Sequence, residues 1–186
     1  MGNYPAAADY AIRALKKNEK LKNTFGVAAC NLTLGNVYYQ MDDIDGALVA
    51  YKKAFVLNRL SKRNTDFEGA VLANIGGMYE QKNNNFLALH YIRMAAATYE
   101  KHGMIGRLPA TYNNMGTCFR NIKQYDSAMF YGRKGLKAAT SAGRPESVAN
   151  AYFTMGVTED KLGRKDSAML YFTRGLSIAT QIGARD

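Results

Sequence analysis

Apolar residues recur along this chain at helical spacing, with no strand-like alternation of apolar and polar positions, so the pattern reads as helix almost throughout. The same apolar signature returns at a fixed interval. The segments LTLGNVYY, LANIGGMY, YNNMGTCF and FTMGVTED align on Gly35, Gly76, Gly116 and Gly156, at separations of 41, 40 and 40 residues. A large apolar residue precedes each glycine: Leu34, Ile75, Met115 and Met155. Twelve positions beyond each lies an alanine, at Ala47, Ala88, Ala128 and Ala168, and nineteen beyond lies Ala54, Ala95, Gly135 or Gly175. Small residues at fixed places mark points where two helices cross closely, because a missing side chain lets the facing helix settle against the backbone.

Each period therefore holds two helices. An aromatic stands three after the glycine in three repeats (Tyr38, Tyr79, Phe119), and a bulky residue sixteen after it in three (Tyr51, Ile92, Phe172). Glu159 and Gly132 break these rules and put local packing in question there. Helix ends are marked as well. Gly103, Gly143 and Gly183 recur where each second helix should stop in a left-handed residue. Asp45, Asp126 and Asp166 stand where the second helices should begin and are expected to cap them. Pro145 suits a first helical turn, and Pro109 implies either a helix that begins late, after GMIGR, or one bent at its start. Turns are expected near residues 42–45, 83–85, 123–125 and 163–165.

The order large-Gly-x-x-aromatic, Ala, bulky, Ala resembles the tetratricopeptide repeat over roughly 160 residues. The 40-residue period, against the usual 34 or so of that family, implies helices about one turn longer and looks like the variant found in signalling scaffolds and bacterial sensor or regulator proteins. The fold implied is all-α, a right-handed superhelical solenoid of antiparallel helix pairs. Residues 5–20 read as a second helix lacking its first, so 1–186 is expected to form one solenoid of about four full repeats plus a leading half-repeat, nine helices in all. With no polar capping helix after IGARD, the chain is expected to be a fragment of a longer protein.

Candidate chemistry is sparse. The two histidines, His90 and His102, form no metal-ligand spacing with the two cysteines, and no Gly-Lys-Ser/Thr follows the glycines. No catalytic residue, metal or cofactor is expected, and the adjacent carboxylates Asp42–Asp43 and Glu159–Asp160 read as turn and surface residues. Cys30 and Cys118 occupy different positions of different repeats and are expected to be free thiols. No stretch is apolar enough for a membrane span, and free thiols favour a reducing compartment, so a cytoplasmic location is expected, with a membrane-anchored or periplasmic parent protein as the alternative.

What remains is a binding surface. In proteins this chain resembles, the first helices of successive pairs line a groove. The inward-facing offsets fall here on Asn36, Gln40, Glu80, Gln81, Asn113, Thr117, Arg120, Asn121, Asn150 and Lys161, with Asn74 and Asn114 adding to the lining if the helix rotation allows. Asn and Gln both donate and accept, so such a face can grip the backbone of an extended peptide; the alternative is that these amides are solvated or bond between helices. A carboxylate clamp of the family is incomplete, since Leu32, Ala110 and Asn114 stand where basic residues are needed. The formal net charge of +10 adds a second reading, a basic solenoid binding nucleic acid, which would weaken steeply with salt. Self-assembly through uncapped ends is a third. A protein or extended-peptide partner, in the sensory or regulatory part of a signalling protein, is the leading expectation.

Overall fold

The computed structural model describes residues 4–61 and 65–183. Among them the chain forms nine α-helices: α1 (Tyr4–Lys20), α2 (Thr24–Gln40), α3 (Ile44–Ser61), α4 (Thr65–Gln81), α5 (Asn85–Lys101), α6 (Leu108–Asn121), α7 (Tyr125–Ser141), α8 (Pro145–Lys161) and α9 (Lys165–Gly183). A 3₁₀ turn, Ile105–Arg107, precedes α6, and Pro109 lies in the first turn of α6, so that helix begins late rather than bending. Pro145 opens α8. The architecture is all-α and of tetratricopeptide-solenoid type, resolved into two compact units, Met1–Thr98 and Tyr99–Asp186.

One turn geometry recurs among the described residues. The residue after each C-cap is left-handed at Lys22, Asp42, Asn83, Gly103, Lys123, Gly143 and Gly163, with φ between 53° and 75°. The next amide donates back five residues, as in Asp43 N–H to Tyr38 O (2.9 Å), Asn84 to Tyr79 (2.8 Å), Gln124 to Phe119 (2.9 Å) and Arg144 to Ala139 (3.0 Å). That bond satisfies an orphan carbonyl at the helix end. Because first and second helices end alike, neighbouring turns lie twenty residues apart, and two make the period.

Several expectations about helix ends need correction. Turns lie about one residue earlier than expected, and Gly183 is still helical. Asp45, Asp126 and Asp166 are not caps. They are the second residues of α3, α7 and α9, too far into the helix to reach the free amides, and there they complement the helix dipole instead. Capping falls to the residue just before the helix: Asp43 Oδ1 accepts from Gly46 N–H (2.8 Å), Asn23 Oδ1 from Gly26 N–H (3.1 Å) and Asn84 Oδ1 from Leu87 N–H (3.2 Å).

In the first unit a core of Ala47, Leu48, Tyr51, Ala54, Val71, Ile75 and Met78 joins α3 to α4. Small residues make its crossings possible. A methyl on Gly35 would meet the Tyr51 ring at 2.4 Å, and one on Gly76 would meet Ile92 at 2.5 Å and the Ala88 carbonyl at 3.2 Å. In the second unit the same crossing brings Gly156 against Phe172 (2.7 Å) and Gly116 against the Ala128 carbonyl (3.2 Å). Gly76, Ala88, Gly116 and Ala128 are all buried, and so are Ala47 and Ala168.

The two departures from the repeat pattern are compensated. A methyl on Gly132 would fall 2.7 Å from Met155 Cγ, so the α8 methionine fills the space a bulky α7 residue takes elsewhere. Glu159, expected at the surface, is 6% exposed and accepts a bond from Arg164 Nη1 at 3.4 Å. A carboxylate in an aromatic position is tolerable when a guanidinium meets it.

Candidate peptide-binding faces

In the first unit the amide face is built on α2 and α4, and its side chains bond to one another. Asn36 Oδ1 accepts from Tyr51 Oη (2.8 Å) and from Asn74 Nδ2 (3.5 Å). One turn further on, Gln81 Nε2 donates to Tyr39 Oη at 3.3 Å. Two rungs thus join successive first helices. Tyr51 is 2% exposed, and burial pushes its hydroxyl pKa up to about 12, with the neighbouring Tyr39 adding to the shift. Its proton is therefore held for the Asn36 bond at any physiological pH. Glu80 is half-buried on the same helix and already has an interaction partner.

In the second unit α6 and α8 leave a cavity of about 300 Å³ between them. Asn113, Asn114, Thr117 and Asn150 line it, together with Phe153 and Thr154. Four of the residues singled out from sequence thus share one concavity. Asn114 and Asn150 are exposed and have no hydrogen-bond partner among the described residues.

Asn113 departs from expectation. It is only 7% exposed rather than open to the groove: its Nδ2 donates to Ser147 O at 3.4 Å, and its Oδ1 is pressed towards Gly135 with no partner. The missing Gly135 side chain is what lets the amide sink so far. Arg120 is half-buried and Lys161 exposed; neither lines the cavity, and Arg120 has a partner of its own. Phe153 and Thr154 were not foreseen, although Phe153 occupies in the fourth repeat the offset that Asn113 occupies in the third, so the register alone could have found it.

Beside this face lies a charged triad. The Tyr112 hydroxyl donates a short bond to Glu100 Oε1, and Lys134 Nζ reaches the same oxygen at 3.0 Å while lying 4.3 Å from the Tyr112 ring centre. The Tyr112 bond and the Lys134 ammonium hold the Glu100 carboxyl below its ordinary pKa. Burial, then the Glu100 bond, raises that of Tyr112. Each group has its partner, and the triad ties the end of α5 to α6 and α7.

Among the described residues no group of three or more His, Cys, Asp or Glu could hold a metal, and no helix is long and apolar enough to cross a membrane. Cys30 and Cys118 are both free, with burial raising the Cys30 thiol pKa.

Comparison with known proteins agrees with this architecture. The crystal structure of BtubC (BKLC) from P. vanneervenii aligns with a TM-score of 0.79 at 16% identity, covering 97% of this chain and 75% of that one. A Rap protein complexed with Competence and Sporulation Factor aligns at 0.82 and 18% identity, covering 96% of this chain and 49% of that one. The Rap conjugation gene regulator of the plasmid pLS20, in complex with the Phr* peptide, aligns at 0.74 and 20%, covering 86% and 44%. This chain thus spans about half the length of those Rap proteins. No curated protein sequence matches it. The family model of the tetratricopeptide repeat matches residues 28–59 and 149–181, one stretch in each unit, so the sequence signature and the solenoid fold both point to a repeat protein of tetratricopeptide type.

Proposed function

We propose that this protein binds an extended polypeptide, and that the α6–α8 face of the second unit grips its backbone. One observation carries the reading: exposed, unpartnered Asn114 and Asn150 stand across a cavity of about 300 Å³ from one another's helices. Each amide offers a donor and an acceptor, the pair an extended backbone presents at alternate residues, so recognition need not depend on peptide sequence. Phe153 on the cavity wall adds an apolar contact for one side chain. The Rap regulator solved in complex with the Phr* peptide supports the same use of this fold. A place in the sensory part of a signalling protein, with the long repeat suited to it, is the finer form of the proposal.

Panning a displayed random-peptide library against the folded chain supplies the ligand. With the synthetic peptide in titration, Asn114→Ala together with Asn150→Ala weakens binding about tenfold or more, as the loss of two backbone contacts requires. The melting transition stays in place because both side chains are exposed. Backbone N-methylation of the peptide has a similar effect. Unaltered affinity in the double variant, or indifference to N-methylation, refutes the proposal.

A further inference from the structure

The solvent face of α3 carries three exposed aliphatic residues in line. Val49, Val56 and Leu60 are 68%, 55% and 70% exposed, and their spacing of seven and eleven residues places them within about 40° of one another around the helix. They form a continuous aliphatic seam on an element whose opposite face, with Ala47, Leu48, Tyr51 and Ala54, is fully used by the core. The repeat supplies its own control. At the same register α1 has Asp9, Lys16 and Lys20, α5 has His90, Ala97 and Lys101, α7 has Phe130, Lys137 and Ser141, and α9 has Leu170, Ser177 and Gln181. Sister helices carry at most one large apolar residue in this line, Phe130 or Leu170; α9 also exposes Met169 and Leu176, seven apart, but Thr180 takes the third place there, so a line of three belongs to α3 among the described second helices.

Basic residues flank the seam. Lys53 lies on one side, and Lys52 and Arg59 on the other, all exposed. Lys52 Nζ sits 5.2 Å from the Tyr79 ring and Arg59 lies over Phe55, which fixes their stems beside the seam. The one acidic residue of α3, Asp45, is at its N-terminus and paired with Lys82 at 2.5 Å. The same bias runs through the fold: second helices carry Lys and Arg over Asp and Glu by 14 to 6, whereas first helices carry the reverse, 2 to 6.

We infer that α3 is a docking site for an amphipathic helix of a partner protein, with aliphatic residues at heptad spacing and Glu or Asp flanking them. Apolar residues seven and eleven apart match the spacing by which one helix packs its knobs between those of another, and flanking charges of opposite sign set partner choice. A lipid surface fits less well, because interfacial helices anchor through aromatic residues and the seam has none. The site is separate from the amide face, so each can be lost without the other.

A labelled synthetic peptide of three heptads, with Leu at the first and fourth positions and Glu beside them, is the probe, and its twin with Lys for Glu is the control. The chain binds the Glu peptide and not the Lys peptide. Val56→Ser with Leu60→Ser weakens binding about tenfold or more, by removal of most of the buried aliphatic area, whereas Phe130→Ser at the matched position of α7 leaves it unchanged. Should the serine variant melt early, Lys53→Glu still decides the matter: it weakens the Glu peptide and strengthens the Lys peptide. Equal binding of both peptides, or of wild type and the serine variant, overturns the inference. So does capture by phosphatidylserine vesicles without peptide binding, or a dimer in sedimentation that the serine variant abolishes.

Discussion

The amide faces of the two units look alike in sequence and differ in what their amides do. On α2 and α4 they are spent on the fold, with Asn36 accepting from both Tyr51 and Asn74 and Gln81 donating to Tyr39. On α6 and α8 Asn114 and Asn150 bond to nothing within the described residues and face a cavity. The units also differ at the residue sixteen after the glycine. Tyr51 fills that place in the first unit and extends a hydroxyl into the amide layer, while in the second unit Gly132 leaves it to the methionine Met155, which offers no donor. An amide-rich groove is thus a capacity, and the neighbouring side chains decide whether the protein consumes it or leaves it for a ligand.

The largest effect expected from breaking this contrast comes at the crossing glycines. Gly35→Ala drives a methyl to 2.4 Å from a Tyr51 ring that is buried and tethered to Asn36, so the ring has to move and its bond breaks. A cost of about 1–3 kcal/mol is expected. Gly116→Ala meets its neighbours at 3.2 and 3.3 Å, and the better helix propensity of alanine offsets much of that crowding. Denaturant melts of the two variants check the ordering; equal losses would show that the tethered tyrosine is not what distinguishes the units.

A smaller effect isolates the tether itself. Tyr51→Phe keeps the ring and removes the donor to Asn36, at a cost of about 1 kcal/mol, the usual net contribution of a hydrogen bond. It also frees an acceptor on the first unit's amide face. If a peptide selected on the wild-type chain gains affinity in this variant, the first unit becomes a second grip; if affinity is unchanged, binding stays with α6 and α8.

How far the sequence foretold these differences depends on the kind of contact. Gly35, Gly76 and Gly156 with their partners Tyr51, Ile92 and Phe172 were legible, because a crossing imposes one size on one position and repeats it. The fate of Asn113 was not. The offset that pointed it at the groove holds for the helix axis, but the side chain sinks because Gly135, on a different helix, leaves room for it. Glu159 was misread for a similar reason, since its partner Arg164 lies beyond a turn whose left-handed residue swings the guanidinium back. The caps were displaced by two positions because the Asp residues of IDGA, YDSA and KDSA stand inside the first turn. Periodicity reports what every repeat shares, and the site lives in what they do not.

Acid titration probes the triad beside the second face. The Glu100 carboxyl is held below its ordinary pKa by Tyr112 and then Lys134, so its contribution to stability is present above the unfolded pKa and is lost as pH falls through the folded one. Tyr112→Phe removes the largest cause. The acid limb of the stability profile then becomes shallower, with little change near neutral pH beyond the lost hydrogen bond. An identical acid limb in the variant would show that the Glu100 shift has no part in acid unfolding.

The smallest effect concerns the turns, which the two units share in geometry but not in residue type. A left-handed residue with a β-carbon costs roughly 1–2 kcal/mol, glycine avoids that cost, and Asn and Asp reduce it through local hydrogen bonding. Lys123 sits at φ 61° in the second unit, where Gly103, Gly143 and Gly163 fill the other turns, while Lys22, Asp42 and Asn83, none of them glycine, do so in the first. Lys123→Gly should therefore stabilise the fold by about 0.5–1 kcal/mol after the extra chain entropy of glycine is subtracted. Asn83→Gly should change it by only a few tenths, since asparagine already tolerates the conformation. Chemical denaturation of both variants settles the comparison, and a loss of stability on Lys123→Gly would mean that the lysine makes a contact offsetting its backbone strain.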